Sequence, residues 1–333
     1  MTTLLSKATT HVSEILTKAV LHTQEALVLY DTQAPLTKIL TEAYRAALPE
    51  AHFLDIADLT KESAMEEFLK LAPGDLVVQI QSGNFRLDDF RIRIFLYKQK
   101  LKAIEHVHLD RFPEEQWETY IDALHYDPEF YHPLGHGVRR KLLAAKSAEV
   151  RSHDTVLRYE SDFEDPKLNI GDYRDMENVG GTFPLGEVFT EPKHLERVNG
   201  EVRIFAFAGL DFQVKTYEPF KVTIRDGILS AGPEAPQAFH DILDLIRETE
   251  PVYVREMGLG MNPAIRPDRI LGDVTAFERI TGLHLSLGAK HSIYPKPHIK
   301  RREGRYHIDV FVQADQITLD GEVLFEKGVY HYA

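Results

Sequence analysis

The sequence of 333 residues contains no cysteine, and this absence excludes several kinds of site. Disulfide bonds, thiolate metal ligands and a cysteine nucleophile are all excluded. The absence also fits a protein from a reducing compartment.

Long apolar runs and a concentrated basic face are lacking as well. No segment approaches the roughly 18 apolar residues of a transmembrane helix, and the N-terminal residues lack the pattern of a signal peptide. The formal net charge is −13, and the densest basic cluster is the short run 300–302. A nucleic-acid-binding protein normally carries a basic face. We therefore expect a cytoplasmic protein that binds neither nucleic acid nor a membrane.

In the first half, short apolar runs alternate with longer amphipathic ones. Strands are predicted at 26–30, 51–56, 75–80 and 102–107, and helices at 35–48 and 85–99. This alternation is typical of an open, mainly parallel sheet with helices on its faces. No glycine-rich phosphate-binding motif follows any of these strands, so this half is interpreted as a scaffold.

The second half has a different texture, which favours a separate domain. A helix at 132–148 precedes strands at 155–160, 201–208, 212–217 and 221–225, and another helix is predicted at 236–249. The pairs Asn199-Gly200, Asp226-Gly227 and Asp320-Gly321 each predict a hairpin turn. The fold class is therefore α/β, with a parallel α/β scaffold domain at 1–150 and a mixed α+β domain at 151–333.

Two residues near the C-terminus have the spacing of metal ligands. His307 and Asp309 lie in a β-branched and aromatic run at 305–312, which predicts a strand. Strand side chains alternate, so both residues point to one face and can chelate a divalent ion. Alone, this pair is more typical of a strand with two polar residues facing water.

Three more residues strengthen the metal interpretation. Glu187, Glu256 and His284 each lie in or beside an apolar, glycine-rich segment. A charge in such a segment is costly unless it is paired or binds a metal. Together with His307 and Asp309 they provide three carboxylates and two imidazoles, enough for two divalent ions with one bridging carboxylate.

Four segments, in order along the chain, resemble the motifs of one family. GEVFTEP (186–192), REMGLGMN (255–262), HLSLG (284–288) and HID (307–309) resemble the motifs of the aminopeptidase T/aminopeptidase S family of two-metal aminopeptidases. The resemblance covers most of 150–330. It implies a homodimer that removes N-terminal residues from peptides using two zinc, cobalt or manganese ions. The implied metal ligands are Glu187, Glu256, His284, His307 and Asp309, with Glu187 bridging.

The chain departs from this family at His291. The family usually has a tyrosine seven residues after the histidine of the HLSLG-type segment, and here that position is a histidine. The expected catalytic residues are Glu187, Glu256 and His291. Water activated by the two ions attacks the peptide carbonyl, and a glutamate or His291 moves a proton to the leaving amine.

Two other functions stay open. The related 2,5-dihydroxypyridine 5,6-dioxygenases are similar in fold and length, and they use a mononuclear iron site of two histidines and one carboxylate. They have a histidine at the position of Glu256 and no histidine at that of His284, so this chain favours the hydrolase. The alternative is an iron ring-cleaving dioxygenase of a small aromatic substrate with His284, His307 and Asp309 as ligands. A non-enzymatic binding protein is the third option.

Other polar residues are interpreted as structural. His125, His132 and His136 lie in a Tyr/His-rich stretch whose spacing matches no known ligand set. Lys290 is expected in solvent. Asp162 and Asn262 are expected to have supporting or structural roles.

Overall fold

The structure is a computed structural model that describes residues 2–21, 25–174, 176, 178–290, 293–296, 299 and 304–333. The backbone contacts divide the chain into two compact units. Unit 1 comprises Met1–His132, Asn169–Leu185 and Arg269–Leu271. Unit 2 comprises Pro133–Leu168, Gly186–Asp268 and Gly272–Ala333.

The described residues contain both helices and strands, as expected for the α/β class. The α-helices are α1 (Thr2–Glu14), α2 (Pro35–Ala47), α3 (Lys61–Leu69), α4 (Ile92–Lys98), α5 (Glu114–Ala123), α6 (Pro128–Ala144), α7 (Gln237–Arg247) and α8 (Val274–Phe277). A π-helix, Ile15–Ala19, continues α1, and 3-10 turns lie at Ile56–Asp58, Leu109–Arg111 and Leu195–Arg197. In the described part of the chain, no helix is long and apolar enough to cross a membrane.

Among the described residues, the strands form two sheets. They are β1 (Ala26–Tyr30), β2 (His52–Asp55), β3 (Leu76–Ile80), β4 (Lys102–His106), β5 (Ala148–Ser152), β6 (Thr155–Tyr159), β7 (Lys167–Asn169), β8 (Gly180–Thr182), β9 (Glu187–Thr190), β10 (Val198–Ala208), β11 (Val214–Arg225), β12 (Ile228–Ala231), β13 (Val254–Gly260), β14 (Gly282–Leu287), β15 (Ile308–Val312), β16 (Gln316–Leu319), β17 (Glu322–Glu326) and β18 (Val329–Tyr330).

The smaller sheet confirms the parallel sheet predicted for the first half. Its strand order is β2-β1-β3-β4-β8, and all four neighbouring pairs are parallel. Every residue of β3 is buried, as expected for a central strand whose two faces are both covered. The predicted helix at 85–99 is shorter than expected, because α4 begins only at Ile92.

The larger sheet has 13 strands and holds four of the five residues predicted to bind metal, namely Glu187, Glu256, His284 and Asp309. Its main path is β18-β17-β16-β5-β6-β10-β15-β14-β13-β9-β7, with β11 and β12 joined to β10. The neighbours β9, β13, β14 and β15 pair antiparallel to one another. All six residues of β14 are buried, and this strand lies between β13 and β15.

Two of the three predicted hairpins are confirmed, and one is wrong. Asp226-Gly227 joins β11 to β12, and Asp320-Gly321 joins β16 to β17, all four residues having positive φ. This is the geometry of a two-residue type I′ turn. Asn199-Gly200 instead lies within β10, where both residues pair with β6. Gly200 has φ +134°, and a Cβ there would lie 2.1 Å from the carbonyl oxygen of Val156. Gly200 therefore allows β10 and β6 to approach closely and does not form a turn.

Candidate metal centre

The sheet of unit 2 brings the sequence-predicted residues onto neighbouring strands. Glu187 begins β9, Glu256 lies in β13 and His284 lies in β14. Asp309 lies in β15, one strand further along. His307 immediately precedes β15, so the predicted strand at 305–312 starts three residues later than expected.

His284 is the centre of the cluster. Its side chain is fully buried, and its Nε2 lies 3.3 Å from Oε1 of Glu187 and 3.5 Å from Oε1 of Glu256. Neither ring nitrogen has a hydrogen-bond partner among the described residues. A tetrahedral ion with bonds of about 2.0–2.1 Å separates its ligands by about 3.3 Å. Each carboxylate oxygen is therefore at a distance from Nε2 that two ligands of one ion would have, and the two carboxylates belong to different groups within the cluster.

Gly258 makes room for this imidazole. It lies opposite His284 in the pairing of β13 with β14. A Cβ at position 258 would lie 2.0 Å from Nε2 and 2.1 Å from Cε1 of His284. Since real Cβ atoms essentially never approach so closely, only glycine is compatible with this ring position.

His307 and Asp309 form the second part of the cluster. Nε2 of His307 lies 3.2 Å from Oδ1 of Asp309, which is close enough for both atoms to bind one ion. The Asp309 side chain is nearly buried, whereas His307 is 26% exposed. The pair therefore combines a buried carboxylate with an accessible imidazole.

Two overlapping groups within the cluster have the composition and spacing of a metal site. Among the described residues, the ligand atoms of Glu256, His284 and Asp309 lie within 4.8 Å of one another. The same holds for Glu187, Glu278 and His284. Both groups share His284, and each combines one histidine with two carboxylates.

Glu278 was missed by the sequence analysis. It follows α8, lies six residues before His284 and belongs to no motif. In the sequence, Glu278 and Arg279 stand side by side between two apolar segments. A charge in such a place is costly unless it is paired or binds a metal, and this was the one feature that could have identified Glu278. Its side chain is 16% exposed.

Arg279 connects two carboxylates of the cluster. Its guanidinium Nη1 lies 2.5 Å from Oε2 of Glu187 and 2.7 Å from Oε1 of Glu278, and its side chain is 4% exposed. Because one oxygen of Glu187 is held by Arg279, its Oε1 is the oxygen that faces His284.

The electrostatics of the cluster reflect its many buried carboxylates. Burial raises the pKa of Glu256 and raises that of Glu278 to about 8. Burial opposes protonation of His284, but the carboxylates of Glu187 and Glu256 raise its pKa well above the usual value. Burial likewise opposes charge on His307, yet Asp309 raises its pKa to about 10. Positive charge therefore stabilises the cluster, and either protons or divalent cations can supply it.

The donor set fits a metal. Imidazole nitrogens and carboxylate oxygens suit zinc, cobalt, manganese and iron, and the sheet holds them in place before any ion binds. The fully buried His284 without a hydrogen-bond partner among the described residues is the clearest single indication, because a buried polar group normally has one.

The remaining sequence candidates have other surroundings. His291 lies outside the described residues. Asp162 forms an ion pair with Lys193, whose Nζ lies 2.7 Å from Oδ2. His132 contacts the Tyr126 hydroxyl at 2.8 Å, in keeping with the predicted structural role.

Comparison with known proteins gives likeness in structure but not in sequence. No family model matches the chain, and no curated protein matches it. The structure of 2,5-dihydroxypyridine dioxygenase from Pseudomonas putida KT2440 matches with a TM-score of 0.67 at 15% identity, over 99% of this chain and 98% of that one. Wild-type AmpT, an aminopeptidase T from Thermus thermophilus, matches with a TM-score of 0.60 at 14% identity, over 98% and 99%.

The chain shares the fold of both proteins. This result supports the structural relation expected from the sequence motifs. One of these neighbours is an aminopeptidase and the other a dioxygenase, and at 15% and 14% identity the likeness establishes the shared fold alone.

Proposed function

We propose that the chain is a metal-dependent aminopeptidase that hydrolyses N-terminal residues from peptides at a dinuclear divalent-metal centre. The proposal rests on the composition of the cluster, on the ordered motifs, and on the fold shared with AmpT.

The ratio of carboxylates to imidazoles carries the proposal. Among the described residues, each group in this cluster whose ligand atoms lie within 4.8 Å has one histidine and two carboxylates. An iron dioxygenase needs two histidines and one carboxylate around one ion. No such group that joins His284 to His307 and Asp309 is present among the described residues. The carboxylate-rich arrangement favours the two-metal hydrolase.

The Arg279 ion pair occupies one oxygen of Glu187, which leaves Glu256 as the carboxylate that would reach both parts of the cluster. Glu187 has one oxygen held by Arg279. Glu256 contacts His284 and also interacts electrostatically with His307 and Asp309, so it lies between the two parts of the cluster. Glu187 would then bind one ion through Oε1.

The chemistry follows from these assignments. Two divalent ions held by the cluster would supply a water molecule of lowered pKa and a polarised peptide carbonyl. The residues that would hold the ions are Glu187, Glu256, His284, His307 and Asp309. A glutamate of the cluster or His291 moves the proton to the leaving amine, and the role of His291 stays a prediction.

The dioxygenase is the second candidate, and its TM-score of 0.67 is the observation that favours it. In that case one iron ion would be bound by His284, His307 and Asp309, and the substrate would be a hydroxylated aromatic ring.

Metal content together with oxygen dependence tests the proposal. We expect Zn²⁺, Co²⁺ or Mn²⁺ to restore hydrolysis of an aminoacyl-p-nitroanilide by the metal-free protein, equally well with and without oxygen. The N-acetylated substrate is the matched control, and it should not be cleaved. Glu256→Gln should bind at least one ion fewer in unit 2. Activation by Fe²⁺ alone, with oxygen-dependent loss of a dihydroxylated pyridine or catechol, would overturn the proposal in favour of the dioxygenase.

A further inference from the structure

Three side chains of unit 1 form a second cluster of metal-ligand type. Oε2 of Glu14 lies 3.1 Å from Nδ1 of His11 and 2.8 Å from Nδ1 of His125. The centroids of the two imidazole rings lie 5.2 Å apart. One ligand atom from each of the three side chains lies within 4.8 Å of the other two. The metal centre described above belongs to unit 2, so this cluster is a different one.

The helices hold these side chains before any ligand binds. His11 and Glu14 are three residues apart in α1 and so occupy one helix face. His125 follows α5, and its backbone N–H bonds to the carbonyl of Asp122. Lys7 of α1 also binds Asp122 at 2.8 Å, which ties the two helices together near the cluster.

We propose that His11, Glu14 and His125 form a separate site for a divalent transition-metal ion. Two imidazole nitrogens and one carboxylate oxygen are ligands for Zn²⁺, Ni²⁺ or Cu²⁺, whereas Mg²⁺ and Ca²⁺ prefer oxygen alone. The side chains are 15%, 21% and 53% exposed, so an ion can enter and water can complete its coordination.

The present contacts need little adjustment to accept an ion. The contacts of 2.8 and 3.1 Å are slightly shorter than the ligand separation of about 3.3 Å around a tetrahedral ion, and the two histidine ligand atoms lie within 4.8 Å of each other. Lys18 approaches the other carboxylate oxygen, Oε1, at 3.6 Å. Oε2 of Glu14 therefore serves the two histidines.

The same contacts also suit hydrogen bonds without a metal, and the variants separate these two roles. Glutamine at position 125 can still donate a hydrogen bond to Glu14 but is a poor ligand for Cu²⁺ or Zn²⁺. We expect His125→Gln and His11→Gln each to bind one ion fewer than the wild type when the metal-free full chain is titrated with ZnCl₂. His52→Gln, which removes an exposed histidine of the same unit, should leave the ion count unchanged.

Electron paramagnetic resonance with Cu²⁺ adds a readout independent of activity. The wild type should show nitrogen coupling from two imidazoles at this site, and His125→Gln from one. Equal zinc counts in the wild type and in both glutamine variants, or unchanged nitrogen coupling, would overturn the proposal and assign the cluster to hydrogen bonding. Peptidase activity is not part of either measurement, so the outcome leaves the function proposed for unit 2 untouched.

Discussion

Gly258 leaves the space that the His284 imidazole occupies, because glycine has no Cβ. A methyl group at position 258 would overlap the ring, with only 2.0 Å to Nε2. We expect Gly258→Ala to push the imidazole away from the carboxylates and to lower metal affinity at least tenfold, measured by calorimetric titration. The overlap should also destabilise the fold by about 1–3 kcal/mol, as overpacked cores generally do.

Gly83→Ala is the control for this substitution, because a Cβ at position 83 meets no atom within 4 Å. Metal affinity in that variant should equal that of the wild type. Unchanged affinity in Gly258→Ala would contradict the ligand role of His284.

A buried histidine in unit 1 predicts a pH dependence of stability. His106 is fully buried between the hydroxyls of Tyr44 and Tyr120, at 2.8 and 2.9 Å, and burial lowers its pKa from 6.5 to about 3. Between these pH values the unfolded chain binds a proton that the folded chain does not. The contribution of His106 to the free energy of unfolding is therefore complete above about pH 6.5 and is lost as the pH falls toward 3.

Urea unfolding at several pH values tests this dependence. We expect the free energy of unfolding to fall by up to about 1.4 kcal/mol per pH unit from this one group below pH 6.5. His106→Gln should be less stable at pH 7 but should lose that part of the slope. His52→Gln, at an exposed position, should keep the wild-type slope, and an unchanged slope in His106→Gln would rule out the assignment.

At the scale of elements, one carboxylate fixes the chain on both sides of the segment between β14 and β15. Glu250 accepts hydrogen bonds from the backbone N–H groups of Ala289, Arg305 and Tyr306, at 2.9–3.1 Å. Tyr306 precedes His307 directly, so Glu250 also determines where this predicted ligand enters the sheet.

We expect Glu250→Ala to destabilise the protein by about 2 kcal/mol, because it leaves one buried and two partly buried backbone donors without an acceptor. Metal affinity should fall as well, since the backbone before His307 is released. Thermal unfolding and metal titration measure the two effects. Glu248→Ala, at an exposed neighbouring position, is the control, and similar values in both variants would contradict the anchoring role of Glu250.

Turn-forming residue pairs did not by themselves predict which strands are joined by a hairpin turn. Asp226-Gly227 and Asn199-Gly200 carry the same local signal, yet one makes a turn and the other pairs with β6 inside β10. Both pairs contain a glycine with positive φ. Whether such a glycine reverses the chain or permits close strand approach depends on the neighbouring strand, which a local pattern does not contain.

At the scale of the whole molecule, we propose that the chain forms a homodimer, on the basis of its resemblance to the aminopeptidase T/aminopeptidase S family. Light scattering coupled to size-exclusion chromatography should give twice the 38.1 kDa of one chain. The value should hold on dilution to the concentrations used for activity. A mass of one chain across the whole concentration range would contradict the proposal.

The sequence alone determined the parallel sheet of the first half and five of the residues that meet in unit 2. The alternation of apolar runs predicts strands and helices directly, because side-chain periodicity is a local property. The ordered motifs selected Glu187, Glu256, His284, His307 and Asp309, and neighbouring antiparallel strands do bring them together. Their role as ligands stays a prediction.

Only the tertiary structure showed Glu278 and Arg279 in the same cluster. A Cβ on Gly260 would lie 2.1 Å from the carbonyl oxygen of Ile280, so the backbone after α8 packs directly against β13 and carries both residues to Glu187. Glu14 and His125 likewise meet across 111 positions of sequence. Such contacts depend on how helices and strands pack, and residue spacing along the chain does not record packing.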